Sequence, residues 1–510
     1  METQNANTKR IAKNTLILYV RLTFSLLASL YTSRVVLNAL GVENYGIYNV
    51  VGGFVGTFSL VSSALSSSVS RFITFELGKG NQEKLNRVFS TAVLIHLVLS
   101  AIILILMETM GVWFLNNKMT IPLERLYATN MVFQASIVTF LLGLISVPYN
   151  ATIVAHEKMD AFAYIGILDV SLKLTVVLFI ANASFDFDRL IIYSFLLVAA
   201  GVLVQITYLL YCSNKFDECR LRFCFDKLTW KEMSAFAGWN FIGCAAGILK
   251  SQGVNILLNI FSGPVLNAAR GISVSVNTAV CAFAGNVTAA MNPQIIKTYA
   301  SGETGYMMSL VERGSRFSFY VIFMLGLPIL FETDFVLTLW LKQYPEHTVN
   351  FVRLILLLSM SDILSQTLIT LQLATGKIRN YQLVVGGMLL MNFPLSYFCL
   401  KVGLPPESVY IVALLVSVSC MLLRLVFLRK MAGLPFWGFI KNVYANILLV
   451  ALCSIVLPTV VYWQMQEGWV RFIAVSVVCL ICTSFSVCFV GCTASERNFI
   501  FTNIKNRISR

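Results

Sequence analysis

The chain has 510 residues, 57% of them hydrophobic and only 12% charged, and its mean hydropathy is +0.78. That balance excludes a soluble globular domain, because soluble chains carry roughly twice the charged fraction. The formal net charge of +14 does not indicate nucleic-acid binding either, since no soluble segment interleaves a basic patch with stacking aromatics. Apolar runs long enough to cross a hydrocarbon core of about 30 Å recur along the whole length, so the fold class is an all-α polytopic membrane protein.

In chain order the sequence predicts fourteen spans, near 14–40, 46–70, 88–115, 128–154, 163–182, 189–212, 236–262, 270–292, 317–340, 351–375, 381–400, 408–428, 443–463 and 472–492. Lys9, Arg10 and Lys13 precede the first. The run after them is long, contains Arg21 and Arg34 and shows no small-residue cleavage site, which reads as a retained helix rather than a signal peptide. With this topology 25 Lys and Arg fall on one side and eight on the other. By the positive-inside rule both termini are cytoplasmic, which fits a bacterial inner membrane. The longest loops, 213–235 and 293–316, are expected inside, and neither face has room for a soluble catalytic domain. Short surface helices would suit 71–87 and the tail 493–510. Pro148, Pro328, Pro394 and Pro458 are expected to kink their spans.

A plan repeats along the chain. Gly41 and Gly46 open a helix rich in small and hydroxyl residues that ends in charges from Arg71 to Arg87. At an offset of 222, Gly263 to Gly271 open a similar one, with identities at Gly41/Gly263, Ile73/Ile295 and Gly80/Gly302. Two similar membrane halves are implied.

Polar residues mark particular faces. Ser59, Ser62, Ser63, Ser66 and Ser70 share one side of the second span, beside a Gly52/Gly56 pair that suits close helix packing. Asn240, Gly247, Ser251, Asn255 and Asn259 make a stripe on the seventh span. Asn277, Thr288 and Asn292 continue the theme on the eighth, with Arg270 at its outer end. Such stripes on corresponding helices suggest one shared cavity. Buried charge is the sharper signal, because an ionisable group at membrane depth costs several kcal/mol. Arg21, Arg34 and Lys250 are cationic. The first two lie thirteen residues apart, which at about 100° per residue places them on nearly opposite faces. Asp169 and Lys173, four apart, are expected to pair along one helix. Asp362 lies in a polar patch, SMSDILSQT, and with Asp169 and Lys173 is a candidate for holding a coupling ion, Na⁺ or H⁺. His96 reads as a core histidine, while His156 and His347 fall in loops and carry no signal. Cys479 and Cys482 form a CxxC on an apolar helix, where small packing residues explain them better than metal or redox chemistry. There is no Walker A motif, no acidic sugar-nucleotide pair in a soluble loop and no metal-ligand cluster, so neither a cofactor nor an ATP-driven pump is indicated.

The segments YTSRVVLNALGVENYGIYNVVGG, SRFITFELGKGNQEKLNRVFSTAV and GPVLNAARGISVSVNTAVCAF resemble the polysaccharide-exporter branch of the MOP superfamily, the Wzx-type O-antigen and capsule flippases. The resemblance implies two six-helix lobes around a central cavity plus two C-terminal helices. In this chain that divides into an N-terminal lobe at 1–212, a cytoplasmic loop at 213–235, a C-terminal lobe at 236–428, and the extra helices with the tail at 429–510. It also implies a non-enzymatic transporter of an undecaprenyl-diphosphate-linked oligosaccharide. Membrane lipids surround it, and a polysaccharide polymerase and glycosyltransferases are its expected partners. Lipid II flippases, which are related, turn cations on their first and eighth spans toward the diphosphate. Arg21, Arg34 and Arg270 are the candidates here, with Lys250 added, and Ser66 and Asn255 suit sugar hydroxyls. Two other readings remain at this point. A cation-coupled multidrug exporter of the same superfamily would need an acidic cavity. A polytopic polysaccharide polymerase or ligase would need a large outer segment.

Overall fold

A computed structural model of the protein describes residues 2–56, 58–117, 122–182, 187–220, 226–262, 264–494 and 496–498. Among them every regular element is helical, and 13 helices are long and apolar enough to cross a membrane. The protein is therefore a multi-pass helical membrane protein, a structure in which every backbone polar group is satisfied within its own helix.

The chain divides into two compact units, residues 1–244 and 245–510. The first holds α1 (Glu2–Gly56), α2 (Ser59–Lys79), α3 (Gln82–Leu106), α4 (Val112–Asn117), α5 (Leu126–Ala155), α6 (Met159–Asn182) and α7 (Arg189–Lys215). The boundary falls inside α8 (Lys227–Ser262). The second unit continues with α9 (Pro264–Ser301), α10 (Thr304–Phe331), α11 (Thr333–Leu341), α12 (Thr348–Ile363), α13 (Gln366–Thr375), α14 (Arg379–Leu390), α15 (Asn392–Lys401) and α16 (Ser408–Ala432). Then come α17 (Phe436–Phe439), α18 (Asn446–Gln464) and α19 (Trp469–Ser486). The apolar core of unit 1 is built from α1, α5 and α7, with Val132, Phe133, Ile137, Leu144 and Leu190 fully enclosed. That of unit 2 centres on Leu257, Leu258, Phe351, Val409 and Tyr410.

The segment 71–87 is helical apart from its turn, as expected, and two expected loops are helical in large part. Residues 71–87 continue α2 to Lys79, turn at Gly80 and Asn81, and start α3 at Gln82. Residues 293–316 turn at Gly302 between α9 and α10, and 213–235 is helical at both ends. Some charges in these stretches, such as Lys79, Glu83 and Lys84, are exposed and others, such as Arg71, Glu76 and Arg316, are buried, while the backbone goes on bonding to itself. Hydropathy sees the charges and not the backbone bonding. The expected second span, 46–70, is not one helix. Its first part belongs to α1, which breaks direction at Gly41 (φ 81°, ψ 165°), and its second part is α2. Rich in hydroxyls and ending in Arg71, Glu76 and Lys79, α2 is not among the 13 apolar helices.

The repeat is clearer in the structure than in the letters. Lys79 and Ser301 end corresponding helices, Gln82 and Thr304 begin the next pair, and Leu126 and Thr348 begin another, each at the same offset of 222. Gly80 (φ 69°) and Gly302 (φ 81°) both turn the chain in the left-handed region that a side chain resists. Ile73 and Ile295 are both fully buried, and Gly263 lies outside the described residues. Where unit 2 breaks α10 from α11 just after Pro328, unit 1 passes a π-turn, Met107–Gly111, at the corresponding place. Pro148 and Pro458 sit within unbroken helices, and Pro394 lies in the first turn of α15.

Candidate functional site

The charged residues inside the helices form separate clusters, one set in each unit. In unit 1, Arg21 on α1 lays its guanidinium 4.1 Å from the centre of the Phe162 ring on α6. Gly166, one turn further along α6, makes room for it: a Cβ there would stand 2.5 Å from Arg21 Nε. Asp169 and Tyr208 are near enough to act on Arg21 electrostatically. Asp169 in turn accepts a hydrogen bond of 2.8 Å from Lys173 Nζ, one turn away. Arg21 thus has an aromatic face and a shared carboxylate, a combination that holds a guanidinium without neutralising the cluster. The side chain of Arg34 lies outside the described residues.

The hydroxyl face of α2 is open rather than packed. Ser59 and Ser63 are exposed, and Ser62, Ser66 and Ser70 are half-buried. The hydroxyls of Ser63 and Ser67 donate to the carbonyls of Ser59 and Ser63 one turn back. That leaves their oxygens free to accept. Asn240, by contrast, is buried and donates to the Ala64 carbonyl, so it serves packing of α8 on α2. Asn255 is half-buried, while the side chains of Ser251 and Asn259 lie outside the described residues.

In unit 2, Lys250 on α8 meets Asp362 on α12 at 3.3 Å. Ser417 of α16 donates to the other oxygen of Asp362 and lies 3.1 Å from Ser361. Two helix breaks flank the pair. One is Leu364–Ser365, between α12 and α13, and the other is Met391, between α14 and α15, where Asn392 donates to the Lys250 carbonyl. One turn beyond Cys420 and two beyond Ser417, the buried Arg424 donates from Nε to Tyr381 at 2.9 Å and from Nη1 to Ser365 at 3.1 Å. Arg270 on α9 is buried too, with Nη1 3.4 Å from the Tyr410 hydroxyl.

Ion pairs also tie helix ends together. His156 meets Glu218 at 2.5 Å, and Gln82 reaches the same carboxylate. Burial pushes the Glu218 carboxyl up, but hydrogen bonds from His156, the backbone and Gln82, with the charge of His156, together outweigh it and leave the group below its ordinary range. Arg10 pairs with the buried Glu157 at 2.9 Å. In unit 2, His347 meets Glu407 at 2.6 Å and Asn350 donates to that carboxylate as well. Both histidines expected to be silent are thus helix-end ligatures, a role that neighbouring sequence gives no sign of. His96 is fully buried, with Nδ1 2.8 Å from the Ala92 carbonyl. The extra helices are fastened to α10 and its end by Arg316–Glu496 at 2.9 Å and by Arg471–Glu332 at 2.7 Å.

Within unit 1, Arg21, a candidate for binding cargo, gathers with Asp169 and Lys173, candidates for the coupling ion, and Ser66 lies elsewhere in that unit. Lys250 and Asp362 pair in unit 2, where Arg270 is held apart by Tyr410. Arg424, not among the cations singled out from the sequence, lies near the Lys250 pair, with Cys420 between them.

A family profile described as polysaccharide biosynthesis protein matches residues 11–301. An uncharacterized membrane protein, EpsK, of Bacillus subtilis (strain 168) is 27% identical over 127 residues, which is 25% of this chain and 25% of that protein. The fold is similar to that of a multidrug-resistance MATE transporter of the MOP superfamily in its outward-facing conformation. That likeness has a TM-score of 0.72 and 12% identity over 84% of this chain and 96% of the other. It is also similar to a MOP-superfamily transporter from Pyrococcus furiosus Vc1 (DSM3638), described as having a binding pocket of reverse polarity that suggests a different function. There the TM-score is 0.70 at 10% identity, over 84% of this chain and 96% of that one. With more than half of its length matched by that profile, the chain belongs to the polysaccharide biosynthesis protein family and carries a MATE-like fold.

Proposed function

We propose that the protein is a flippase, without enzymatic activity, for an undecaprenyl-diphosphate-linked oligosaccharide. It would carry the repeat unit of an O-antigen or capsule across the bacterial inner membrane by alternating access, with both termini in the cytoplasm. The observation that carries this reading is the surplus of cations enclosed by apolar helices: Arg21, Lys250, Arg270 and Arg424, against Asp169 and Asp362. A lipid diphosphate is a fixed multiple negative charge that cannot cross hydrocarbon bare. Guanidinium and ammonium groups replace its hydration with charge-assisted hydrogen bonds. The open hydroxyl face of α2 around Ser66, with Asn255 on α8, suits sugars. A cationic drug would require the opposite balance of charge. The family assignment and the transporter-like fold support the reading, and Asp169 with Lys173, or Asp362, would take up the coupling Na⁺ or H⁺. Glycosyltransferases would supply the cargo and a polymerase would consume it.

Deleting the gene tests this. Lipid-linked oligosaccharide should accumulate on the inner leaflet while surface glycan falls, and wild-type protein should restore both. Lys250→Ala should restore surface glycan poorly at normal membrane levels of the protein. Unchanged surface glycan with no accumulation in the deletion strain would overturn the reading.

A further inference from the structure

Within unit 2, a cluster on three helices long and apolar enough to cross a membrane holds two cations and one carboxylate. Lys250 and Arg424 come from α8 and α16, and Asp362 from α12. Cys420 lies within electrostatic reach of all three, and Cys281 on α9 is near Asp362. The three charged groups are not equally fixed. Arg424 is buried and clamped by two hydroxyls, and among the described residues it is held by those hydroxyls and no carboxylate. The Lys250 side chain is 12% exposed, and its backbone is pinned by Asn392. The Asp362 side chain is 43% exposed and sits one turn before the break at Leu364–Ser365, so it is the member with room to move. A cluster with a net positive charge among such helices requires a further anion or a loose counter-ion.

We propose that Asp362 is the displaceable counter-ion of an anion subsite formed by Lys250, with Arg424 behind it, and that a diphosphate-type headgroup takes its place. The inference rests on the reading that the cargo is anionic, and it adds how the site is gated. Asp362 occupies Lys250 and competes with the incoming anion. When the carboxylate leaves Lys250 while keeping the hydrogen bond from Ser417, the ammonium is released and donates to a phosphoryl oxygen instead. The groups near Asp362 are Lys250 from α8, Cys281 from α9, and Ser417 and Cys420 from α16, with Arg424 one turn beyond Cys420. Asp362 is the one carboxylate among them.

Equilibrium binding of radiolabelled farnesyl diphosphate to the purified full-length protein in lipid nanodiscs tests this. Asp362→Asn, which removes the competing charge, should bind at least tenfold more tightly than the wild type at the same pH. Lys250→Met should bind at least tenfold more weakly. If Asp362→Asn does not survive purification, Asp362→Ala should show the same tightening. If the wild type binds and neither Asp362 variant raises the affinity, the counter-ion role is overturned while an anionic cargo stands. If the wild type shows no binding, the anionic-cargo reading itself fails.

Discussion

Units 1 and 2 share a helical plan and differ in where they keep their charge. Helix starts and turns recur at the same offset, down to the paired turn glycines Gly80 and Gly302. Yet the position corresponding to Lys250 is the buried Ala28, that corresponding to Asp362 is Phe140, and that corresponding to Arg21 is Gly243. Two helix ends show the same divergence in milder form. Arg125 and Asp188, which precede α5 and α7, form an ion pair, and His347 and Glu407 stand in the corresponding places before α12 and α16. Backbone geometry is thus repeated and chemistry is not. The scaffold is set by apolar packing and turns, which tolerate many sequences, while each intramembrane charge needs its own partner and cannot be copied without it.

The most severe way to break the comparison is to force the chemistry across. Ala28→Lys should destabilise unit 1 by about 3 kcal/mol, the insertion cost of a lysine at helix centre, read as a loss of thermal stability in detergent. Adding Phe140→Asp should recover part of it if the two units are as alike as their helix boundaries indicate. A milder test concerns the shared turns. Gly80→Ala and Gly302→Ala each place a side chain in a left-handed residue with no atom within 4 Å of the new Cβ. Each should cost about 1–2 kcal/mol from backbone strain alone, by equal amounts. Unequal losses would show that one turn has a further role.

The smallest effects are expected at the ion pairs that tie helix ends together. Burial raises the Glu407 carboxyl, but hydrogen bonds from His347 and Asn350 bring it below its ordinary range. A carboxyl depressed in the folded state stabilises fully above its unfolded value of about 4.3. That contribution is lost as pH falls through the folded value. Glu218 in unit 1 behaves in the same way. Stability should therefore be flat from neutral pH down to about 5 and decline below it, and Glu407→Gln should flatten part of the decline. His347→Arg, which gives unit 2 the guanidinium pair of unit 1, should change stability at pH 7 by less than about 0.5 kcal/mol.

Much of this was legible in the sequence. The class, most of the spans, the internal repeat and the Asp169–Lys173 pair follow from composition and helical periodicity, because each depends on residues close in the chain. The helical flanks of Gly302 were taken for a loop, since charged stretches read as loops even when the backbone remains helical, whereas 71–87 was expected to be helical and is. His156 and His347 were passed over because their partners are 62 and 60 residues away. Arg424 was not singled out, because the hydroxyls that hold it come from other helices.

The sequence by itself determined that this is a many-spanning membrane protein of two similar halves with cations at membrane depth. Those features are fixed by hydrophobicity, spacing and the rarity of charge among apolar residues. Only the tertiary structure decided that Lys250 meets Asp362 across 112 residues of chain, that Arg21 rests on Phe162, and that Arg424 is held by hydroxyls. Which charges meet depends on how separate helices pack, and a helix's own pattern says which residues share a face but not what that face will touch.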